Sequence, residues 1–592
     1  HPRRFARTQP FMLNGAFQIG RSGLTAAQLG IQVTGNNLAN ASTPGYARQN
    51  LTLNPARDTP QGNLFIGRGV NVSAIRRQVD DALQARLWSG VSSEAGAATD
   101  LQLLGSVESL INPLSGTSVS SQLNRFFNSW SELANAPTAS GPRSLVVQQG
   151  KALGDFLRQT RVELTGQREQ IDRDLLANTQ RANDLLNQVA ALNTAIVSSE
   201  NSSGAGANGL RDQRDQLVTE LAGYLDLTTV EQPSGTLDIL VGSTPIVLAG
   251  VSRGIKLKTE SSTTGTTVRV TTTDNDEGLA ISQGRLGSLL ARRTDLVGDT
   301  LSRLDNLASQ LIFETNKIHS TGYGTTPITS AVGATSLRSS DTSLAFNDPT
   351  NQSLAQLPFA PKSGSFLIRL TNTATGASQT TRIDIDLDGR NSLGQPGTQD
   401  DTSLQALVNQ LATVANVSAS VTGDGRLSLA AGSGYEINFA DDSSGVLAVL
   451  GVNTYFTGKD ASDISVRTEL LSNASLLSSG RLEGGQRNDN AGARGITDLR
   501  SAQVAGLKGE TFLGHWDQAV QAVAVQADQA KTRSQSASTV RSSLDAQRSA
   551  VSGVSVDEEA VNLITYQRQY QASARFINVV DELTQTLLGL LR

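Results

Sequence analysis

Apolar and small residues recur at alternating spacings of four and three near the start of the chain. The series runs from Leu13 to Leu38, and its other large members are Phe17, Leu24 and Ile31. This spacing places the series along one face of a helix, as in a coiled coil. At ~1.5 Å per residue the helix would be about 40 Å long. Because few charges accompany it, the sequence predicts a terminal helix whose apolar face needs a partner.

A polar stretch, "NNLANASTPGY", follows this helix at residues 36–46. Its asparagines favour a helix end, where side-chain amides can satisfy loose backbone groups. The Pro-Gly pair favours a turn, and "YARQNLTL" then indicates an extended segment. The stretch therefore predicts a change from a long helix to a β-rich connection.

A second helix with the same kind of spacing is predicted at the end of the chain. Ser555 and Glu558 fit a capping box, and acidic residues 557–559 suit the positive end of a helix. Apolar residues then form two neighbouring stripes, one from Leu563 to Ile577 and one from Phe576 onwards. Each terminal helix needs a partner, and we expect the other to supply it.

Helical and alternating patterns occupy large blocks between the terminal helices. Amphipathic helical patterns dominate residues 80–230 and return at 285–320 and after about 470. Strand patterns with Gly and Pro turns begin near residue 228, and residues 340–455 are β-rich with one helix, "SLQALVNQLATV". The predicted fold class is α+β multidomain: terminal helices forming a coiled-coil-like inner domain, a mixed helical and β middle domain, and an inserted β-rich outer domain.

Composition narrows the classes of function. A chain of 592 residues needs several domains, and a net charge of −5 argues against nucleic acid as a partner. The absence of cysteine excludes disulfides, thiol catalysis and zinc–thiolate sites. The sequence contains no run of about 18 apolar residues, so it predicts no membrane-spanning helix. The N-terminus also lacks the apolar segment of a signal peptide. Met12 is the single methionine, so we interpret residues 1–11 as a non-native extension.

The candidate chemical sites are weak. Asp384 to Gln395 nearly matches an EF-hand loop, but the last position is Gln rather than Glu. Alternating Ile and Asp residues favour instead a half-buried strand that ends in an Asp-Gly turn. His319 and His515 have no metal-spaced partner and are interpreted as structural. The sequence predicts no cofactor, no metal and no catalytic residue.

Several motifs together resemble one family. "NNLANASTPGYARQ" and "SGVSVDEEAVNLITYQRQYQASARFINVVDELTQTLLGLL" are similar to the N- and C-terminal signatures of flagellar rod, hook and hook-associated proteins. The "SGV…DEE" opening, "FFNSWSELANAPT", "DQRDQLVTEL" and "FETNKIHSTGYG" resemble the FlgK family of hook-associated proteins. The resemblance covers about two-thirds of the chain, and residues 340–455 match only in general style.

The resemblance implies a domain layout. An inner domain would comprise 12–55 and 550–592, a mixed helical and β domain 56–340 and 456–549, and a β-rich outer domain 341–455. The terminal helices and the asparagine-rich stretch would form the assembly interface. Its expected residues are Leu13, Phe17, Leu24, Ile31, Leu38, Asn36, Asn37, Asn40, Pro44, Gly45, Tyr46, Leu563, Tyr566, Tyr570, Phe576, Ile577, Val580, Leu583, Leu587 and Leu590.

The resemblance also implies a structural role at the hook–filament junction, outside the cell, after export without a cleaved signal peptide. The expected partners are other copies of the chain, the hook protein, a second junction protein of the hook-associated protein 3 type, and an export chaperone at the C-terminal region. Nucleic acid and membrane are not expected partners. Another axial protein, such as the hook protein, is an alternative. An exported enzyme would need converging carboxylates that the sequence does not indicate, and an adhesin has no diagnostic motif.

Overall fold

The computed structural model describes residues 10–61, 64–111, 117–203, 205–262, 265–355, 357–483 and 486–590. The α-helices of these residues are α1 (Pro10–Ala39), α2 (Asp81–Ile111), α3 (Val119–Asn135), α4 (Ser140–Ser203), α5 (Asn208–Ala222), α6 (Gly284–Arg292), α7 (Asp299–Ser320), α8 (Gln352–Ala355), α9 (Leu404–Leu411), α10 (Val446–Leu450), α11 (Thr468–Ser472), α12 (Ala491–Asp498), α13 (Phe512–Ser552) and α14 (Val556–Leu590). A π-helical turn, Arg293–Gly298, connects α6 to α7.

The strands are short, and all of their pairings within the described residues are antiparallel. They are β1 (Gln49–Pro55), β2 (Thr59–Gln61), β3 (Leu64–Ile66), β4 (Val70–Arg77), β5 (Thr228–Glu231), β6 (Leu237–Val241), β7 (Thr244–Leu248), β8 (Val251–Ser252), β9 (Ile255–Ser262), β10 (Gly265–Thr272), β11 (Gly322–Tyr323), β12 (Ser330–Val332), β13 (Gly364–Asn372), β14 (Ser378–Ile385), β15 (Val417–Val421), β16 (Leu427–Ala431), β17 (Tyr435–Ala440), β18 (Phe456–Thr457), β19 (Ser465–Val466), β20 (Gly480–Glu483) and β21 (Gln486–Asn488).

The chain divides into two compact units. Unit 1 comprises His1–Gln102, Asp172–Ala291 and Gln529–Arg592, and unit 2 comprises Leu103–Ile171 and Arg292–Asp528. These units do not test the domain boundaries expected at residues 55, 340, 455 and 549, which stay a prediction. Of the extension expected at residues 1–11, residues 1–9 lie outside the described part, and α1 begins at Pro10.

Unit 1 contains the two terminal helices, α1 and α14, which pack against each other. Strands β1 and β4 pair beside α1, and β5 to β8 form a sheet in sequence order. The side chains of Leu237, Ile239 and Val241 on β6 are buried, so this sheet has an apolar core. The sheet forms because these alternating segments bury one face while Gly242 supplies the left-handed turn between β6 and β7, at φ +59°.

Unit 2 is organised around an aromatic cluster. Phe126 and Trp130 of α3 lie against Tyr455 and Phe456, and the rings of Tyr455 and Phe456 are 4.6 Å apart. All four side chains are fully buried. Three-stranded sheets with the orders β14-β13-β17, β12-β16-β15 and β11-β20-β21 complete the unit.

Most of the predicted elements are present, and the chain is a mixture of helices and strands with a long C-terminal helix. The helix predicted in the β-rich block is α9, and the strands predicted around it are β13 to β17. The expectation of helix after residue 470 is wrong for 480–488, where β20 pairs with β21 and with β11. The pairing with β11 comes from a segment about 160 residues away, so local periodicity could not indicate it. Among the described residues, no helix has both the length and the apolar character that crossing a membrane requires.

Candidate assembly interface on the terminal helices

Helices α1 and α14 run antiparallel and approach closely at glycines. A Cβ placed on Gly30 would lie 2.5 Å from Cδ1 of Tyr566, and one on Gly20 would lie 2.7 Å from Cγ1 of Ile577. Both distances are below van der Waals contact, so only glycine fits at these positions. The large side chains that bridge the two helices therefore come from α14 and rest on a flat surface of α1.

The contacts repeat every seven residues on both helices. Three successive layers are formed by the pairs Gly23–Ser573, Gly30–Tyr566 and Asn37–Glu559. A repeat of seven is the coiled-coil repeat, which keeps one seam of each helix facing the other. The two terminal helices therefore pack against each other, as expected, with small residues rather than large ones on the α1 side.

Consequently, the predicted stripe of α1 divides into two parts. Ala27 and Thr34 are buried together with Gly20. The large residues of the stripe are less buried: Phe17, Leu24 and Ile31 are half-buried, and Leu38 is exposed. The side chain of Leu13 lies outside the described residues.

The predicted stripes of α14 divide in the same way. Val580 is buried, and Leu563, Tyr566 and Ile577 are half-buried. Tyr570, Phe576, Leu583 and Leu587 are exposed, whereas the side chain of Leu590 lies outside the described residues.

Three of these exposed residues share one side of α14 with two valines that the sequence analysis did not select. We call this set the outer face of α14. It comprises Val561, Phe576, Val579, Leu583 and Leu587, which are 37–65% exposed. A single chain therefore leaves a row of large apolar side chains uncovered along its last helix.

Asn37 forms the polar layer at the end of the helix pair. Its amide oxygen accepts hydrogen bonds from Tyr46 Oη at 2.8 Å and from Gln49 N at 3.0 Å. Its amide nitrogen donates to Gln49 O at 2.9 Å and to Glu559 Oε2 at 3.1 Å. Because Asn37 is buried, this full set of partners is what makes a polar side chain tolerable there. A buried Asn with such a set allows one register of the two helices.

Arg48 connects the asparagine-rich stretch to the start of α14. Its guanidinium donates from Nε to Glu559 Oε1 at 2.9 Å and from Nη1 to Glu558 Oε2 at 2.7 Å. The side chain of Glu559 is 2% exposed. Its buried charge is balanced by Arg48, and it also accepts a hydrogen bond from Asn37.

The cap of α14 differs from the predicted box. Ser555 Oγ accepts a hydrogen bond from Glu558 N at 3.4 Å, which is one half of the motif. The Glu558 carboxylate binds Arg48 instead of returning to the Ser555 backbone.

The turn after α1 combines a left-handed glycine with a hydrogen bond between two asparagine side chains. Gly45 has a φ of +83°, which the Pro-Gly signal requires, and Asn36 and Asn40 bond to each other through Asn40 Nδ2 and Asn36 Oδ1. Burial, followed by the charges of Asp212 and Glu559, raises the pKa of Tyr46 to about 12. Tyr46 therefore remains a neutral hydroxyl that can donate to Asn37. Pro44 is exposed at the turn.

A second ion-pair group lies next to this turn. Arg77 Nη1 donates to Asp212 Oδ1 at 2.9 Å and to Asp215 Oδ2 at 2.7 Å. Burial raises the pKa of Asp212 from its ordinary value, although Arg77 acts in the opposite direction. Sequence reasoning missed Arg77 and Arg48. Asp212 and Asp215 lie in the charged stretch "RDQRDQ" at 211–216, whose helical spacing predicts a solvated, salt-bridged face. The acidic start of α14, which includes Glu559, was interpreted only as a helix cap.

Family models match three segments: the flagellar hook-associated protein FlgK helical domain at residues 104–331, the flagellar basal body rod FlgEFG protein C-terminal at 546–590, and the flagella basal body rod protein at 17–46. The last two segments fall within α14 and α1 and their immediate continuations.

Curated relatives match along nearly the whole chain. Flagellar hook-associated protein 1 of Escherichia coli (strain K12) is 25% identical over 578 residues, covering 96% of this chain and 98% of that protein. Flagellar hook-associated protein 1 of Bacillus subtilis (strain 168) is 24% identical over 590 residues, covering 98% of each. The solved structure of the flagellar hook junction protein FlgK from Burkholderia pseudomallei is 15% identical and covers 79% of this chain and 100% of that one, with a TM-score of 0.47.

Proposed function

This chain belongs to the FlgK family of flagellar hook-associated proteins, and we propose that it is a structural adaptor that assembles at the distal end of the hook to form the hook–filament junction. The family is one of structural proteins of the flagellum. One observation carries the proposal of assembly: the terminal helices are fixed against each other, yet the outer face of α14 is left uncovered in a single chain.

The physics of that surface favours association. Val561, Phe576, Val579, Leu583 and Leu587 are all apolar and exposed. Burying apolar surface contributes roughly 25 cal/mol per Å², so neighbouring copies that cover this face would gain free energy on assembly. Contacts of one copy with the next through different surfaces build rings and helical tubes.

The proposed partners follow from the same surface and from the family. Other copies of the chain and the hook protein would cover the outer face. A second junction protein of the hook-associated protein 3 type would bind the distal side, and an export chaperone would cover the C-terminal region before assembly. The proposed location is the extracellular part of the flagellum. The chain would be exported there without a cleaved signal peptide.

Co-sedimentation with isolated hooks tests the proposal. We expect the wild-type chain to pellet with hooks and Leu583→Asp/Leu587→Asp to remain in the supernatant, because two buried carboxylates would oppose the contact. Both positions are exposed in the single chain, so its circular dichroism should not change. Asn578→Asp is the matched control, since it adds charge at an exposed position on another side of α14 and should still pellet.

A third variant separates assembly from pairing of the helices. Ile577→Asp places charge over Gly20, so we expect it to lose both the packing of α1 on α14 and the binding to hooks. If Leu583→Asp/Leu587→Asp pellets as the wild type does, the outer face is not the contact surface. If the folded wild-type chain does not pellet, the junction assignment is overturned.

A further inference from the structure

Three carboxylates converge beyond the end of β14, in unit 2. One oxygen each of Asp386, Asp388 and Asp401 lies within 4.8 Å of the other two. Oxygen ligands sit 2.3–2.6 Å from a calcium ion, so two ligands of one ion are at most about 5 Å apart. The three carboxylates are therefore close enough to bind one ion together.

This group is not the EF-hand loop that the sequence resembles. Asp384, the first position of that loop, is not one of the three and pairs with Arg382 in an exposed ion pair at 2.6 Å. Asp401, which lies beyond the loop, takes its place. It is brought there by Thr402, whose N–H donates to Asp386 O at 2.7 Å and whose hydroxyl accepts from Asp386 N at 2.9 Å.

The turn at Gly389 completes the arrangement. Gly389 has a φ of +69°, and its N–H donates to Asp401 Oδ2 at 3.2 Å. The same oxygen accepts from Asn347 Nδ2 at 2.7 Å. These two bonds fix the Asp401 carboxylate beside Asp386 and Asp388.

A second observation indicates that a ligand is needed. Asp401 is 5% exposed, and its Oδ1 has no hydrogen-bond donor among the described residues. The Oδ1 atom of Asn347, next to it, is also buried without a partner in the described part of the chain. A buried carboxylate oxygen and a buried amide oxygen without donors both lack what a cation would supply.

The charge of the group leads to the same conclusion. None of the three carboxylates is paired with a lysine or arginine within the described residues, whereas the adjacent Asp384 is paired. Three negative charges so close together repel one another, and one of them is buried. A cation bound among them would remove both costs.

We propose that Asp386, Asp388 and Asp401 form a divalent cation site that binds calcium. The donors are all oxygens, which suits calcium and magnesium rather than zinc. Calcium is favoured because it accepts 6–8 ligands in irregular geometry. Asn347 Oδ1 would add a ligand on the buried side, next to Asp401, and water would complete the sphere on the exposed side of Asp386 and Asp388. Bound calcium would hold residues 386–401 in one conformation.

The physiological setting of this site rests on the proposed function. A protein outside the cell is exposed to calcium at concentrations that suit weak sites, with Kd of about 10⁻⁴–10⁻³ M. The chemistry itself does not depend on the hook, so a binding experiment on the purified chain separates the two proposals.

Isothermal titration of calcium chloride into the chelator-treated full chain tests the site. We expect one binding event with a Kd in the range of about 10⁻⁴–10⁻³ M. Asp401→Asn should weaken it at least about tenfold, and so should Asp388→Asn, whose exposed position makes misfolding of the variant a smaller concern. Asp384→Asn is the matched control, since it removes the same charge four residues before Asp388 and should bind as the wild type does.

The outcomes discriminate clearly. Absence of binding to the folded wild-type chain up to 10-fold above about 10⁻³ M calcium would overturn the site. Binding that survives Asp401→Asn and Asp388→Asn would place the ion elsewhere and overturn it as well. Equal affinity for magnesium would overturn the assignment to calcium. A chain that binds calcium but not hooks would leave this site in place and remove the proposed function.

Discussion

Burial determines how much each of two adjacent glutamates contributes to stability through its ion pair with Arg48. Glu558 and Glu559 both bind the guanidinium of Arg48, yet the side chain of Glu558 is 62% exposed and that of Glu559 is 2% exposed. Exposed ion pairs contribute about 0–1 kcal/mol, because water screens them. Removing one partner of a buried pair costs about 3–5 kcal/mol, because it leaves an uncompensated charge.

We therefore predict that Glu559→Gln destabilises the start of α14 far more than Glu558→Gln. The side-chain amide that Glu559→Gln introduces would also turn its NH2 group toward either Arg48 or Asn37, and each of these donates to this position. Hydrogen exchange of the 556–566 amides should accelerate in the first variant and stay near the wild-type rate in the second. Equal rates in the two variants would show that the buried pair does not hold the helix.

At the scale of elements, the close approach of α1 and α14 makes glycine necessary at one position of α1 and not at another. Gly30 and Gly35 both lie within α1, but a Cβ on Gly30 would meet the ring of Tyr566 at 2.5 Å. A Cβ on Gly35 would have no such neighbour within 4 Å. Alanine is a better helix former than glycine by about 1 kcal/mol, so packing and propensity act in opposite directions at Gly30 and in one direction at Gly35.

We predict that Gly30→Ala loosens the helix pair and that Gly35→Ala tightens α1. Overpacking costs about 1–3 kcal/mol, which exceeds the gain in propensity at Gly30. Exchange of the amides in α14 around Tyr566 should be faster in Gly30→Ala and unchanged or slower in Gly35→Ala. Slower exchange in both variants would mean that the two helices can separate slightly without loss.

For this pair of helices, the sequence predicts that the helices form and pack together, but not which residues meet. The spacing of Phe17, Leu24 and Ile31 predicts the helix and its partner, because periodicity is a local property. It does not predict that Gly30 rather than Ile31 faces α14, because hydrophobicity selects large residues while close packing selects small ones. The bond between Asn37 and Glu559 joins positions 522 residues apart, which no local pattern can indicate.

At the scale of the whole molecule, one part of the response to acid should originate in unit 2. His319 lies in its aromatic cluster, where Nδ1 donates to Asn453 O at 2.8 Å and Nε2 accepts from Ser478 N at 3.0 Å. The second contact requires the neutral ring, because a protonated Nε2 cannot accept a hydrogen bond. Burial lowers the pKa of His319 to about 4, below its ordinary value of 6.5.

The unfolded chain therefore binds one more proton than the folded chain between pH 6.5 and 4. The stability that the neutral ring contributes is complete above pH 6.5 and is lost as the pH falls through 4. At 1.36 kcal/mol per pKa unit, this loss amounts to about 3 kcal/mol. Urea unfolding followed by tryptophan fluorescence should show the decline in the wild type, because Trp130, one of the three tryptophans, lies beside His319. His319→Gln should be less stable at pH 7 and lose this part of the pH dependence. An unchanged slope in that variant would assign the acid response to other groups and leave His319 a packing residue only.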